Sequence, residues 1–419
     1  MYFKRKFFLY ILGILSVYLG FFLNENSSGG GKIDHDYLFP LIIKLSENFS
    51  EGLELFFNSR GSIIHSPVFY IFISFILKIS NSLFFTKIFY IVICCTLPLI
   101  FYQILIIKNS RENLFIFFLS LIIFFSPYFR SSAIWLLGDN LSLIFFSLSI
   151  FYYLKTEKST KLINYFLCLF FLILCCYLRY YYFLFSIFYL LQFFSKISFK
   201  QFFLLLLFCL ILSIPAFVYV NYIIINYNFL SFVSNKSSTN FYNNFLIISS
   251  IIFFYIFPFI LIQFKELKNF IKKNKKFILI TLLSLTSLYF LTYINNDQFI
   301  VNDYGGGVFF KFSKITNLNT KIVIYIVSFL SLICMQFLFQ KNLTLNYFIL
   351  IILVFTFPLA VIFQKYFDPL LFLVFFGLVK SKILDQIFNE NLKNILIIYF
   401  YFVSFFIIST TYNLYYLSS

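Results

Sequence analysis

Residues 29 to 80 read GGGKIDHDYLFPLIIKLSENFSEGLELFFNSRGSIIHSPVFYIFISFILKIS, and the placement of this stretch decides the fold of everything that follows it. Its last part, residues 67 to 80, is apolar but only about 13 residues long, whereas a helix needs roughly 20 to cross about 30 Å of hydrocarbon. If it crossed, every later loop would change sides, and the basic run Lys265 to Lys276, KELKNFIKKNKK, would face outward against the positive-inside tendency. The segment is therefore expected to lie flat at the outer interface. The first part is polar and carries both histidines of the chain, His35 and His65, with Asp34, Asp36, Glu47, Glu51 and Glu54. In a chain so poor in titratable groups, chemistry is expected there.

Outward from this stretch the sequence is nearly all hydrocarbon. Of 419 residues, 62% are hydrophobic and 11% charged, less than half the charged share of about a quarter usual in soluble domains. The expected fold class is an all-α polytopic membrane protein. Lys4, Arg5 and Lys6 keep the N-terminus in the cytoplasm, so span 1, about 7 to 23, leads out and lacks the small-residue cleavage site of a signal peptide. The remaining spans are expected at about 83 to 107, 114 to 128, 141 to 154, 162 to 178, 183 to 195, 201 to 220, 246 to 264, 277 to 294, 321 to 339, 345 to 363, 369 to 379 and 394 to 411. That makes about 13 in one domain, 1 to 419, with a first outer loop carrying interfacial helices at 24 to 80 and a second outer loop at 295 to 320. This orientation puts most lysines inside, so the net charge of +17 is explained by topology and contact with anionic membrane lipids, with no nucleic-acid partner. A multi-pass protein of a bacterial inner membrane, with its site outside, is the expectation.

Heavy use of Phe, Ile, Asn, Lys and Tyr reflects AT-rich codons, so aromatic stripes carry no weight as ligand boxes. A residue kept against that drift is more informative. There are five arginines, and Arg60, Arg130 and Arg179 fall on the outer side, where topology needs them least. A guanidinium grips phosphate oxygens with a planar fork. Residues 129 to 140, FRSSAIWLLGDN, hold the only Trp together with Arg130 and Asp139; an acid at the edge of a span is costly unless paired or used. Asp34 or Asp36 is the candidate general base, with His35 beside them. Tyr304 precedes a triple glycine, and Lys365 stands in the turn QKYFDP, where it could reach a phosphate or pair with Asp368. Carboxylate oxygens suit magnesium or manganese, yet no second ligand cluster appears in the sequence, so the expectation is no cofactor, with a divalent metal as the lesser alternative. The seven cysteines all fall within apolar runs and read as buried thiols.

Taken in order, these residues resemble the GT-C superfamily of integral membrane glycosyltransferases. Asp34-His35-Asp36 stands where members carry an acidic residue in the first outer loop. Ser66-Pro67-Val68-Phe69-Tyr70 stands where an interfacial helix often opens with Pro-Pro-x-x-Tyr. DHDYLFP is similar to the acidic loop of dolichyl-phosphate-glucose α-1,2-glucosyltransferases, with Asp34 six residues before Pro40. Asp139 falls at a second acidic position, and Lys365 to Pro369 looks like the family's basic-Tyr-x-x-Pro element; within the superfamily the chain also resembles protein mannosyltransferase-like families. Ser66 replaces the first proline and Lys365 stands where arginine is commoner, which leaves the subfamily open. The resemblance implies inverting transfer of a sugar from a polyprenyl-phosphate donor to a glycan, lipid or protein acceptor. Asp34, or else Asp36, would be the base. Arg60, Arg130, Arg179 and Lys365 would steady the phosphate, Asp139 would orient the acceptor or hold an arginine, and His35, His65 and Tyr304 would line the substrate. An O-antigen polymerase or ligase, and a lipid-linked oligosaccharide flippase, are the alternatives.

Overall fold

The computed structural model describes residues 2–58, 66–227, 241–294, 305–357, 361–388 and 392–417, and all regular structure among them is helical. Six helices are long and apolar enough to cross a membrane: Lys4–Phe22, Leu83–Asn109, Phe199–Tyr222, Tyr242–Ile262, Thr320–Phe339 and Asn394–Leu414. Each coincides with a run expected from sequence. A further pair, Leu114–Phe125 and Pro127–Ile134, is bent by 61° and is either a broken span or a re-entrant loop. The other expected spans are helical in most part but shorter or less apolar. The segment expected at 369 to 379 holds one short α-turn, Leu370–Leu373, and a π-turn, Val374–Leu378, together about 14 Å at 1.5 Å per residue, too short to cross alone.

By contacts the chain divides into two compact units, Met1–Asn228 with Tyr399–Ser419, and Phe229–Ile398. Unit 1 contains α1 (Tyr2–Phe22), α2 (Gly31–Glu47), α3 (Phe49–Asn58), α4 (Val68–Ser80), α5 (Leu83–Cys94), α6 (Thr96–Asn109), α7 (Leu114–Leu121), α8 (Pro127–Ile134), α9 (Gly138–Lys158), α10 (Leu162–Leu178), α11 (Leu184–Phe194) and α12 (Phe199–Tyr227). The polar stretch expected as an outer loop with interfacial helices is largely helix, with Asp34 in the first turn of α2 at the positive end of the helix dipole, where an acid is favoured. Local chemistry sets the boundaries. Ser82, Asn113 and Ser126 accept from backbone amides at the starts of α5, α7 and α8. Pro127 at the first turn of α8 needs no amide partner there, and this cap with its proline is what bends the chain after Phe125. The last helix, Leu392–Leu417, closes unit 1: Ser409 Oγ and Asn413 Nδ2 both donate to the Ser27 carbonyl at 2.8 Å.

Unit 2 contains α13 (Phe241–Ile262), α14 (Phe264–Lys273), α15 (Lys275–Ile294), α16 (Gly307–Ile315), α17 (Thr320–Phe339) and α18 (Leu343–Thr356), followed by short turns. α13 packs along α17, where Ser328 and Ser331 donate to the carbonyls of Leu246 and Ser249 at 2.7 and 2.6 Å. Part of the second outer loop expected at 295 to 320 is helix α16; residues 295–304 lie outside the described residues.

Candidate functional site

The site is assembled on α8, because its short polar face is where the α1–α2 turn is tied down. Ser27 Oγ donates to the Pro127 carbonyl at 2.9 Å, and the Ser28 amide donates to Ser131 Oγ at 3.0 Å. Gly31 permits the close approach: a Cβ there would lie 3.1 Å from the Ser131 Cβ and 3.2 Å from Trp135 Cδ1. The indole Nε1 of Trp135 donates to the Glu25 carbonyl at 2.8 Å. The start of α2 is thereby fixed in rotation, and with it Asp34, His35 and Asp36.

On a helix, neighbours two apart do not share a face, so the two acids point different ways with the histidine between them. His35 is buried, its ring 5.7 Å from Trp135 and 5.0 Å from Phe39. Burial pushes its pKa from 6.5 down to about 4, helped by the charge of Lys87 and opposed by Asp36 and a hydrogen bond to the Trp135 backbone. At neutral pH it is an uncharged imidazole. The exposed Asp36 lies on the side of Lys87, a half-buried cation on α5 whose Nζ sits 5.0 Å over the Trp135 ring. Asp34, half-buried, lies on the other side, where the Tyr70 hydroxyl feels the charges of Arg179, Asp139 and Asp34 together.

Two arginines expected at substrate phosphate are both found in ion pairs. Arg130 is buried against Glu25: Nε donates to Oε1 at 2.8 Å and Nη2 to Oε2 at 2.5 Å. Ser16 takes two more of its hydrogens, and the Phe406 ring covers its face at 4.8 Å. Arg179, also buried, donates from Nε to Asp139 Oδ1 at 2.8 Å. Asp139 lies in the first turn of α9, whose first residue, Gly138, packs closely on Phe69: a Cβ there would stand 3.1 Å from that ring. Of the two roles expected for Asp139, holding an arginine is the one the geometry displays.

Lys365 belongs to unit 2, in the turn Gln364–Tyr366, with its Nζ 5.5 Å over Phe363. The neighbouring Gln364 accepts from the Val308 amide at 2.9 Å and donates to Tyr255 at 3.2 Å, binding this turn to the triple-glycine entry of α16. Arg60, His65 and Tyr304 lie outside the described residues.

Sequence reading passed over Glu25 and Lys87. Both carried a signal: Glu25 is a lone acid directly after a hydrophobic span, and Lys87 is a charge inside the apolar run LFFTKIFYIVIC, each costly unless paired or used. No group of three or more His, Cys, Asp or Glu able to hold a metal occurs among the described residues, and the seven cysteines are free thiols. Comparison of the chain with protein-family models, with curated proteins and with solved structures returns no match.

Proposed function

We propose that unit 1 carries the active site of an inverting glycosyltransferase that moves a sugar from a polyprenyl-phosphate donor to an acceptor hydroxyl at the outer membrane face. The observation that carries this reading is the first turn of α2, pinned against α8 through Ser131 and Trp135, which presents Asp34 and Asp36 on different sides of the buried His35. In an inverting displacement the acceptor oxygen attacks the anomeric carbon from the face opposite the departing phosphate. The base and the cation that receives the leaving group must then flank the reacting carbon.

Asp34 fits the base. As the new C–O bond forms, the acceptor hydroxyl gives its proton to the Asp34 carboxylate, and the anomeric C–O bond to phosphate breaks with its electron pair leaving on the phosphate oxygen. Lys87 fits the cation: Arg130 and Arg179 are engaged by carboxylates at hydrogen-bond distance, whereas Lys87 lies over an indole face and feels Asp36 through its charge. A preplaced charge of this kind stabilises the developing anion without reorganisation. Asp139 holds Arg179, and neutral His35 packs the turn against Trp135.

The test is transfer of labelled sugar from a synthetic polyprenyl-phosphate donor by the purified chain. Asp34→Asn should lower kcat by about 10² to 10⁴-fold, the usual contribution of a general base. Asp36→Asn should act more weakly, chiefly on KM through Lys87. Wild-type rates in both asparagine variants would remove the catalytic assignment.

A further inference from the structure

The most concentrated charge in unit 2 lies away from any acid cluster. Residues 264 to 276 hold six lysines, at 265, 268, 272, 273, 275 and 276, against one acid, Glu266. All six are exposed. They belong to α14 and the start of α15, directly after the candidate span Tyr242–Ile262, so the segment sits where one end of that span leaves the hydrocarbon.

α14 has two apolar edges. Leu267 and Phe270 are buried, and the Phe270 ring meets Phe337 of α17 at 5.6 Å. Phe264 and Ile271 are 57% and 38% exposed. With about 100° per residue, Phe270, Leu267, Ile271 and Phe264 follow one another around the helix over roughly 120°, and Lys268, Lys272 and Lys265 continue within the next 100° or so. The first half of the apolar arc is used by the protein. The second half adjoins the lysines and is left bare.

We propose that α14 is a lipid-docking helix that binds anionic phospholipid headgroups. The helix lies along the membrane surface, Phe264 and Ile271 dip to the acyl boundary, and Lys265, Lys268 and Lys272 meet the phosphates above them. The pairing of a bare apolar edge with a flanking row of lysines favours a lipid surface over a polyanion such as RNA, which would use the charge and leave the apolar edge in water. The long lysine stems suit this position, since they cover apolar surface while the ammonium reaches the headgroup layer. The surface is separate from the chemistry proposed at α2, so loss of sugar transfer leaves it standing.

The test uses the full chain in nanodiscs of phosphatidylcholine alone or of phosphatidylcholine with phosphatidylglycerol, with a water-soluble acylating reagent read out lysine by lysine. Lys265, Lys268 and Lys272 should be protected several-fold in the anionic discs, and the protection should fade in 1 M salt, where the screening length is about 3 Å. Lys158, exposed in unit 1, normalises for reagent access. A second arm compares melting in the two discs: the triple variant Lys265→Gln, Lys268→Gln, Lys272→Gln should melt like wild type in phosphatidylcholine and lose the upward shift that phosphatidylglycerol gives wild type. Equal reactivity in both discs, the same shift in the triple variant, or protection by an added RNA oligonucleotide with none from phosphatidylglycerol would overturn the assignment.

Discussion

Glu25 and Arg130 show how much can hang on one carboxylate. Their side chains are 9% and 6% exposed, and removing one partner strands the other charge in a site that no longer hydrates it. Glu25→Gln is expected to cost about 3–5 kcal/mol, read as a lower unfolding midpoint in detergent, whereas Glu25→Leu combined with Arg130→Met should recover most of the loss because neither charge is then buried. Gly20 reports on the same pair: a Cβ there would run into the Glu25 carboxylate and stand 2.8 Å from Arg130 Nη2, so Gly20→Ala should behave like a broken pair. His35 gives a pH signature. Its folded pKa of about 4 lies below the unfolded 6.5, so between these values the unfolded chain binds the proton and the native one does not, and stability rises with pH. The contribution is complete above pH 6.5 and is lost as pH falls toward 4. His35→Phe, which keeps an aromatic ring against Trp135, should flatten the melting curve across that window; an unchanged acid limb would mean that His35 is not the titrating group.

At the level of the element, local side chains mark the helix starts: Ser82, Asn113, Ser126, Asn319 and Asn342 each cap the helix that follows. In the polar stretch after Gly29 helices were legible, and their anchoring was not: the tie between Ser28 and Ser131 holds the start of α2 against α8, and that partner lies a hundred residues away in sequence. The pairing of Glu25 with Arg130, 105 residues apart, was hidden in the same way, whereas Asp139, 40 residues from Arg179, was expected to orient the acceptor or hold an arginine. Arginine scarcity singled out Arg130 and Arg179, and which carboxylate each one meets depends on tertiary packing. At the entry to α16, Gly306 has a φ of +83° and its amide donates to the Ile362 carbonyl at 2.8 Å. An L-residue there costs about 1–2 kcal/mol for the backbone alone, and a Cβ would also clash with the Phe310 ring. Gly306→Ala is therefore expected to destabilise unit 2 by at least that amount, measurable by thermal unfolding.

Over the whole molecule, apolar length carried the reading furthest: six of the expected spans return as helices able to cross a membrane. The shorter runs did not resolve this way, since a 14-residue helix such as Leu343–Thr356 fits a buried core as well as a bilayer. Sidedness can be tested directly. In sealed inside-in vesicles, Asp36→Cys should react with an impermeant maleimide from outside and Lys273→Cys should not, in a background freed of Cys176 and Cys209, the two native thiols that are not fully buried; the reverse pattern would invert the orientation. The closure of unit 1 by Ser409 and Asn413 on the Ser27 carbonyl has a consequence in time. Translation emits Ser27 early and its partners nearly four hundred codons later, so the bonds to Pro127 and Ser131 are the first to hold the turn that aims Asp34, and those to the Ser27 carbonyl are added only as synthesis ends.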